Sequence, residues 1–366
     1  MRIIISGGGT GGHVYPAIAI ANALKEKGVK EILFVGALGK IEMEKVPKAG
    51  YSIQGLDIQG FHRTRKWRNI WFPFRLIKSM LKAKKIIEKF GPNIAIGVGG
   101  YASGPLLKMA QMKNIPTIIQ EQNSYPGVTN KLLAKGARKI FVAYNGMDKY
   151  FESSKLVKSG NPVRKDLIDI DSLKSEAVNH FNLESSKKTV LIFGGSLGAR
   201  SINKAVAAQE EMIARLDDVQ IVWQVGKIYH DQYKDSRLAK MKHVQVLPFI
   251  DRMDYAYCVA DVIVSRAGAL TISELSLVGK PSVLVPSPNV AEDHQTKNAM
   301  ALVDEGAAIL VKDGEAKAQM IIRAIELLRD TVAQQRLSTN LLKLAKPNAR
   351  EEIADEILKL GSYAAQ

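Results

Sequence analysis

The sequence predicts an α/β protein with two doubly wound domains, each with a mostly parallel sheet covered by helices on both faces. Three observations support this prediction. Strand and helix patterns alternate along the chain, and the strands are short unbroken Ile/Val runs, typical of strands buried on both faces. The order of strand, glycine loop and helix also restarts midway, and 366 residues suffice for about two domains.

The first predicted domain alternates short strands with helices. A strand at 3–6 is followed by a helix over 14–27, which has Pro16 in its first turn and ends at Gly28. Further strands are predicted at 32–35, 93–97, 116–120 and 140–143.

The second predicted domain repeats this order after Asn161 and Pro162. Its strands are predicted at 188–193, 220–224, 244–247, 262–264 and 282–285, and its helices at 201–216 and 270–277. The boundary is expected near residues 160–171, which gives domains 1–163 and 164–344. A last helix at 350–360, within the segment from about 345 to 366, is expected to pack back on the first domain.

The composition is typical of a soluble globular protein, with 46% hydrophobic and 24% charged residues. The single cysteine, Cys258, excludes a disulfide framework or a cysteine metal cluster and fits a reducing, cytoplasmic setting. No signal peptide is expected, and no apolar run approaches the ~18 residues that a membrane-spanning helix needs.

The net charge of +16 predicts an anionic partner, such as nucleic acid, an acidic membrane surface or a phosphorylated substrate. Residues 61–90 contain ten lysines and arginines but a single acid, Glu88. Aromatic residues are interleaved with them, among them Trp67, Trp71, Phe72 and Phe74. The later part has a helical pattern that predicts one shared face for Phe74, Ile77, Leu81 and Ile86.

Glycine-rich and polar segments follow the predicted strands throughout the chain. Ligands of open parallel sheets bind at the carboxyl ends of the strands, and two such edges facing each other would form a cleft. In loops 7–12, 99–105 and 194–196, glycines let backbone N–H groups approach a phosphate at the start of a helix. One such loop is equally well explained as a tight turn without a ligand, but three favour anion binding.

A nicotinamide cofactor is disfavoured by the second predicted strand. A dinucleotide fold needs an acid at its end for the ribose hydroxyls, and residues 35–38 contain neither an acid nor an arginine for a 2′-phosphate. No GKT or GKS follows a glycine loop, so P-loop hydrolysis is disfavoured as well.

His13 closes the first glycine loop and is a candidate general base, because a neutral imidazole accepts a proton near neutral pH. Its alternative role is a structural histidine that holds the loop. No nucleophile triad is indicated, since GxSxG is absent and Cys258 lies in a helical run.

The segment 265–274 leads through Gly268 and Ala269 into a helix whose start can face a diphosphate. Glu274 is placed where a carboxylate can accept hydrogen bonds from both hydroxyls of a ribose. The alternative is a solvated acid on the helix surface. The segment 292–299 contains carboxylates and amides that could bind sugar hydroxyls. The alternative is a polar helix cap, with Asp293 as the capping residue.

Eight motifs follow one another along the chain: GGGTGGHVYPAIAIA, VGGYASGP, EQNSYPGVTNKLLA, GNPVR, GGSLGAR, FIDRM, SRAGALTISE and HQTKNA. Taken in this order, they resemble the MurG family, the bacterial N-acetylglucosaminyltransferases of glycosyltransferase family 28. The resemblance covers nearly the whole chain. It implies the GT-B fold, in which two Rossmann-like domains face each other across a cleft, and transfer of N-acetylglucosamine from UDP-N-acetylglucosamine to lipid I, giving lipid II.

The resemblance also implies where the donor binds, mainly on the second domain. Ile250 would contact uracil through its backbone, Glu274 would hold the ribose, and Gln295 and Asn123 would hold the sugar. The diphosphate would be bound by Arg164, Ser196 and the helix start Ala269, Leu270, Thr271, Ile272 and Ser273. Thr10, Gly11 and Gly12 would close the site from the first domain.

The implied acceptor is an undecaprenyl diphosphate that carries a muramyl peptide. It would dock on the first domain at Gly9, His13, Gly100, Tyr101, Ser103 and Gly104. The reaction would invert the anomeric centre and form a β-1,4 link, with His13 as the base and Glu121 as the second choice. No DxD motif is placed to hold a metal diphosphate, so neither an essential metal nor a cofactor is expected.

The basic-aromatic segment then predicts a peripheral protein on the cytoplasmic face of the bacterial inner membrane, bound to anionic lipids. The residues expected to contact the membrane are Trp67, Trp71, Phe72, Phe74, Arg75, Lys78 and Lys82. A merely solvated cationic helix is the alternative. Other cell-wall synthesis and division proteins are further expected partners.

Two other functions compete with this assignment. One is a related GT-B enzyme with a different lipid or natural-product acceptor. The other is a nucleic-acid-binding protein, for which the sequence offers no RNP, helix-turn-helix or zinc signature, so no nucleic-acid partner is expected. Gln120 departs from the histidine that many relatives have before the EQN motif, which puts an acceptor role for this position in doubt.

Overall fold

The structure is a computed structural model, and it describes residues 1–60 and 70–363, with the backbone alone at 291, 362 and 363. The chain divides into two compact units: unit 1 is Met1–Arg164 with Asn348–Gln366, and unit 2 is Lys165–Pro347. The sequence placed these divisions one residue earlier, after 163, and three residues earlier, after 344.

Unit 1 contains a parallel sheet of seven described strands in the order β3-β2-β1-β4-β5-β6-β7. The strands are β1 (Arg2–Ser6), β2 (Glu31–Ala37), β3 (Ser52–Leu56), β4 (Ile94–Gly97), β5 (Thr117–Glu121), β6 (Lys139–Val142) and β7 (Leu156–Lys158). The helices are α1 (Gly11–Glu26), α2 (Glu42–Lys48), α3 (Phe72–Phe90), α4 (Ser103–Met112) and α5 (Val128–Ala134).

Unit 2 contains a parallel sheet of six described strands in the order β10-β9-β8-β11-β12-β13. The strands are β8 (Lys188–Phe193), β9 (Val219–Gln224), β10 (Val244–Leu247), β11 (Val262–Ser265), β12 (Ser282–Leu284) and β13 (Ile309–Leu310). The helices are α6 (Lys174–His180), α7 (Arg200–Ala208), α8 (Glu210–Ile213), α9 (His230–Tyr233), α10 (Met253–Val259), α11 (Ala269–Val278), α12 (His294–Val303), α13 (Ala316–Arg329) and α14 (Thr331–Lys343). The predicted fold class, two Rossmann-like domains with parallel sheets, is confirmed.

Both faces of each sheet are buried, as the unbroken apolar strands predict. In β1, Ile4 belongs to the core cluster that includes residues of α3 and α4, whereas Ile3 and Ile5 belong to the cluster on the other face. In β8, Ile192 and Phe193 likewise point into the two different clusters of unit 2.

The last helix, α15 (Ala349–Tyr363), packs on the sheet of unit 1. Its residues Ile353, Ala354 and Ile357 share a core cluster with Ile3 and Ile5. At its start the buried Arg350 donates from Nη2 to Glu26 Oε2 at 2.7 Å, and this ties the helix to the end of α1.

Several element predictions were wrong in detail. Helix α1 begins at Gly11, three residues before the predicted start, so Gly11 and Gly12 at the end of the glycine loop already belong to the first helical turn. The predicted helix at 201–216 is two shorter helices, α7 and α8, separated at Gln209. The short elements α2, β3, β7 and β13 were not predicted, because they carry too few residues for a clear periodicity.

Candidate active site

In unit 1 the sheet order reverses between β1 and β4, which lie side by side although β2 and β3 separate them in sequence. Ligands of doubly wound sheets bind at such a switch point. The loop after β1 contacts the loop after β4 here, and the Gly8 N–H donates to the Gly99 carbonyl at 3.3 Å. A Cβ on Gly100 would lie 2.2 Å from the Gly8 oxygen, so only glycine permits this close approach.

His13 lies in the first turn of α1, and its Nδ1 is 3.0 Å from the Gly8 carbonyl oxygen. A carbonyl oxygen only accepts hydrogen bonds, so Nδ1 is the donor in this contact, and in the neutral ring Nε2 then carries the lone pair. The hydroxyl of Thr10 is 3.3 Å from the same Nδ1. This tautomer suits a proton acceptor, and no pattern in the sequence indicates it.

The ring of His13 also packs on the loop after β4. An ideal Cβ on Gly99 would lie 2.7 Å from the ring Cδ2 and 2.9 Å from Nε2. Gly99 has φ +92°, and it keeps the space beside Nε2 clear of a side chain. The other two residues of this helical turn, Gly11 and Gly12, are half-buried and exposed, respectively.

Glu42, the first residue of α2, was missed by sequence analysis. It follows β2 by five residues, is 0% exposed, and its carboxylate returns to the strand end and the glycine loop. Oε1 accepts from the Ala37 N–H at 2.9 Å, and Oε2 accepts from the Gly9 N–H at 2.8 Å. A dinucleotide-binding fold would have an acid at the end of β2, where residues 35–38 contain none. The carboxylate of Glu42 occupies this place, but it binds backbone N–H groups of the loops.

The start of α4 contributes the remaining predicted acceptor residues. Ser103 is buried, and its hydroxyl donates to the Gly100 carbonyl at 2.9 Å, whereas Gly104 is half-buried. Tyr101 is 46% exposed, and an ideal Cβ on Gly60 would fall on its ring. Tyr101 is thus the one large side chain of this set that is open to a ligand, and Ser103 shapes the turn.

Glu121 ends β5 and is 2% exposed. Its Oε1 accepts from the N–H and the Nδ2 of Asn123, at 3.1 and 3.2 Å. Its Oε2 accepts from the Gly127 N–H at 2.9 Å and from Asn130 Nδ2 at 2.8 Å. The carboxylate organises the loop into α5, and both of its oxygens are engaged by donors of that loop.

Gln120, the position that departs from the family pattern, is completely buried. Its Nε2 donates to Asn161 Oδ1 at 3.0 Å, and Asn161 Nδ2 donates to the Gln122 carbonyl at 3.1 Å. This side chain holds the GNPVR segment against β5. Arg164, the last residue of that segment, is half-buried and belongs to unit 1.

In unit 2 the switch point lies between β8 and β11. Gln224, at the end of β9, was also missed by sequence analysis. Its Nε2 donates to the Gly195 carbonyl at 2.9 Å, and its Oε1 accepts from the Ile250 N–H at 3.0 Å. One amide thus fixes both the GGS loop, which carries the half-buried Ser196, and the predicted uracil segment.

Helix α11 begins after Gly268, whose extended backbone (φ −66°, ψ 145°) directs the chain into it. The first helical hydrogen bond is made by the Ile272 N–H to the Gly268 carbonyl at 2.9 Å. The N–H groups of Ala269, Leu270 and Thr271 precede it at the positive end of the helix, a preferred position for anions. Ser273 donates from its hydroxyl to the Ala269 carbonyl at 3.1 Å.

Glu274 is held by a residue that sequence analysis did not identify. The hydroxyl of the fully buried Tyr257 donates to Glu274 Oε2 at 2.8 Å. Glu274 is half-buried, so it is more than a solvated helix acid.

A cavity of about 560 Å³ lies in unit 2 beside the GGS loop, lined by Gly194, Arg200, Arg266, Ser287, Gln295 and Asp313 among others. Gln295 Oε1 accepts from the Ser287 N–H at 2.8 Å, which leaves the amide nitrogen as the donor end. Arg266 donates to Asp313 at 2.6 Å and to the carbonyls of Val285 and Pro286. The arginine therefore ties the strand ends together.

Helix α12, which contains Gln295, does not begin with the predicted side-chain cap. Asp293 lies before α12 in a left-handed conformation (φ 50°), and its Oδ1 accepts from the Thr296 hydroxyl at 2.7 Å. Glu292 is left-handed as well (φ 56°). No group of three or more His, Cys, Asp or Glu residues in the described part of the chain could hold a metal ion.

Helix α3 places its exposed apolar residues on one side. Trp71, Phe74, Ile77 and Leu81 are 57–66% exposed, and the Trp71 and Phe74 rings are 5.8 Å apart. The prediction for Ile86 was wrong: it is 5% exposed and lies on the buried face with Ala83, because five residues rotate a helix by about 140°.

The other residues predicted to contact the membrane differ in exposure. Lys78 and Lys82 are exposed, and Arg75 and Phe72 are half-buried. Trp67 lies outside the described residues. No helix in the described part of the chain is long and apolar enough to cross a membrane.

Comparison with known families gives two matches that together cover most of the chain. Residues 3–142 match the glycosyltransferase family 28 N-terminal domain, and residues 189–356 match the family 28 C-terminal domain.

Curated relatives match over nearly the full length. A Flavobacterium psychrophilum protein is 51% identical over 98% of this chain and 97% of its own length, and a Bacteroides fragilis protein is 52% identical over 100% and 97%. Both carry the name UDP-N-acetylglucosamine–N-acetylmuramyl-(pentapeptide) pyrophosphoryl-undecaprenol N-acetylglucosamine transferase.

Solved structures are similar as well. Acinetobacter baumannii MurG has a TM-score of 0.74 at 29% identity and covers 98% of this chain and 99% of its own. A glycosyltransferase of kitacinnamycin has a TM-score of 0.75 at 16% identity over 98% of both chains, a likeness of fold alone.

Proposed function

The chain belongs to glycosyltransferase family 28, and we propose that it transfers N-acetylglucosamine from UDP-N-acetylglucosamine to an N-acetylmuramyl-(pentapeptide) pyrophosphoryl-undecaprenol. The observation that carries the proposal is 51–52% identity, over nearly the full length, to relatives with this name. The product is lipid II, formed with inversion as a β-1,4 link to the muramyl 4-hydroxyl. This assignment is favoured over a GT-B enzyme with another acceptor, because the kitacinnamycin glycosyltransferase is only 16% identical to this chain.

We assign the donor to unit 2. The diphosphate is stabilised at the start of α11, where three N–H groups and the helix dipole favour negative charge as UDP departs. Glu274 accepts hydrogen bonds from the ribose hydroxyls, and the amide nitrogen of Gln295 donates to the sugar. Ile250 contacts uracil, and Ser196 contacts the phosphate. Thr10, Gly11, Gly12, Asn123 and Arg164 are further donor residues by resemblance.

We assign the acceptor to the loops after β1 and β4, with Tyr101 as its exposed contact. His13 is the general base that removes the proton of the attacking hydroxyl, because Nε2 carries the lone pair in the tautomer fixed by Gly8. Glu121 is less suitable as a base, since four hydrogen bonds already engage its carboxylate. It shapes the loop that carries Asn123.

We further propose that α3 binds the cytoplasmic surface of the inner membrane, where the acceptor lipid is anchored. Phe74, Ile77 and Leu81 would enter the interface while Lys78 and Lys82 pair with anionic head groups. The exposed apolar row and the surrounding cations support this role. Contacts with other cell-wall synthesis and division proteins remain part of the proposal.

The experiment is transfer of labelled N-acetylglucosamine from the UDP donor to a lipid I analogue, with and without EDTA. We expect label in the lipid at equal rates in both, because helix α11 rather than a metal stabilises the diphosphate. His13→Ala should lose at least about a hundredfold in turnover, since a positioned base contributes ~10²–10⁴, while UDP binding persists. Absence of transfer where an authentic family member is active would refute the assignment.

A further inference from the structure

We propose that Glu42 is a positioning residue for the base, and that it acts through the single peptide group between Gly8 and Gly9. This inference rests on the proposed function in taking His13 as the base. The Gly8 carbonyl and the Gly9 N–H are the two ends of one planar unit. Glu42 Oε2 accepts from the N–H end at 2.8 Å, and His13 Nδ1 donates to the carbonyl end at 3.0 Å.

Because the peptide is planar, Glu42 and His13 are mechanically coupled. A rotation of this peptide would break both hydrogen bonds at once, and glycines on both sides would otherwise allow such a rotation at little cost. Glycine is nevertheless required at position 8, since an ideal Cβ there would lie 2.1 Å from Glu42 Oε1. The carboxylate therefore supplies the rigidity that the loop sequence lacks.

The coupling is also electrostatic. A carboxylate that accepts from one end of a peptide polarises it and makes the carbonyl at the other end a stronger acceptor. The His13 Nδ1–H bond is thereby strengthened, which keeps the proton on Nδ1 and the lone pair on Nε2. Catalytic bases are commonly oriented by a third group, and here that group acts through a peptide rather than directly.

The carboxylate is itself firmly placed. It is 0% exposed, its Oε1 accepts from the Ala37 N–H at 2.9 Å, and it stands in the first turn of α2, where the helix dipole favours negative charge. An ideal Cβ on Gly36 would lie 2.5 Å from the Glu42 Cγ, so two glycines make room for this side chain. The Gly9 N–H, which a dinucleotide fold would offer to phosphate, is engaged within the protein.

Glu42→Gln tests the proposal, because the amide keeps the shape but directs its NH₂ at one of the two N–H donors. We expect turnover to fall about 10–100-fold, part of the ~10²–10⁴ that a positioned base contributes, with the KM for UDP-N-acetylglucosamine unchanged. Glu44→Gln, an exposed acid on the same helix, is the matched control and should retain full turnover.

A double-mutant cycle distinguishes positioning from general stability. If Glu42 acts through His13, then Glu42→Gln costs less than about twofold in the His13→Ala background, because the effects of coupled residues do not add. Additive losses, or full turnover in the single variant, would overturn the proposal. Rates are expressed per UDP-binding site, so that misfolded protein does not count.

A measurement on the unaltered protein covers the case that Glu42→Gln fails to fold. With ¹⁵N-labelled histidine, the His13 signal, assigned by its loss in His13→Ala among six histidines, should report the Nδ1–H tautomer. An Nε2–H tautomer would overturn the relay. If His13→Ala keeps its turnover, the base assignment fails, whereas the tautomer still decides whether the Gly8–Gly9 peptide orients the ring.

Discussion

The hydroxyl of Tyr257 donates a 2.8 Å hydrogen bond to Oε2 of Glu274, and thus joins a completely buried ring of α10 to the carboxylate assigned to the donor ribose. One carboxylate oxygen is thereby fixed by the core of unit 2. The ribose site then depends on a residue that need not touch the ligand. A residue of this kind is open to a direct test.

We expect Tyr257→Phe to raise the KM for UDP-N-acetylglucosamine about five- to tenfold with little change in kcat. The loss corresponds to about 1–1.5 kcal/mol in binding, the net contribution of a typical hydrogen bond. Initial rates at varied donor concentration measure it. Tyr255→Phe on the same helix, whose hydroxyl donates to Glu176, is the control and should leave this KM unchanged.

Gly99→Ala should lower kcat about tenfold or more. The added methyl group meets the His13 ring at 2.7 Å, and small displacements of a positioned group are costly in rate. Gly146 also has a positive φ, +74° against +92° at Gly99, and its ideal Cβ would meet nothing within 4 Å, so Gly146→Ala carries the backbone strain alone. Equal kcat values for the two folded variants would contradict the contact of Gly99 with the base.

The membrane surface of α3 is tested by Phe74→Ser with Leu81→Ser, two residues exposed by 66% and 58%. Binding to vesicles that contain anionic lipid should weaken about tenfold or more, because each apolar side chain removed from the interface loses part of ~1.5–3 kcal/mol. The control replaces Ile228 and Val332 of unit 2, which are 66% and 77% exposed. Co-sedimentation that falls equally in both double variants would argue against a specific membrane face.

Alkaline stability is expected to depend on Tyr51. Burial, and next the charge of Glu26, raise the pKa of Tyr51 from 10.0 to about 12, and its hydroxyl donates to Asn22 at 2.6 Å. Between pH 10 and 12 the unfolded chain loses this proton while the folded chain keeps it. The free energy of unfolding therefore falls as pH rises through this window.

Tyr51→Phe removes the titrating group, so its unfolding free energy should fall less steeply between pH 10 and 12. At neutral pH the variant should be less stable by about 1 kcal/mol, the contribution of one hydrogen bond. Thermal melts across this pH range measure both effects. An unchanged alkaline slope would exclude Tyr51 as its source, and Tyr150→Phe, a more exposed tyrosine, serves for comparison.

Local sequence patterns predicted most of the fold but only part of the candidate site. The strand predicted at 188–193 has the same bounds as β8, since a short run with four apolar residues before a glycine pair has few alternatives. The search for an acid after β2 covered residues 35–38 alone, and it therefore did not find Glu42. Glu42 reaches the same strand end from the next helix, a path that depends on the turn between them.

Sequence by itself determined the two doubly wound domains, the loops that bear the chemistry and the family to which the chain belongs. These follow from periodicity and from motifs that are contiguous along the chain. Tertiary structure alone decided which groups fix those loops and the carboxylate assigned to the ribose: Glu42 on Gly9, Gln224 on Gly195 and Tyr257 on Glu274. The physical reason is that these hydrogen bonds join residues 17–33 positions apart, whose proximity arises from strand pairing and helix packing and leaves no local pattern in the sequence.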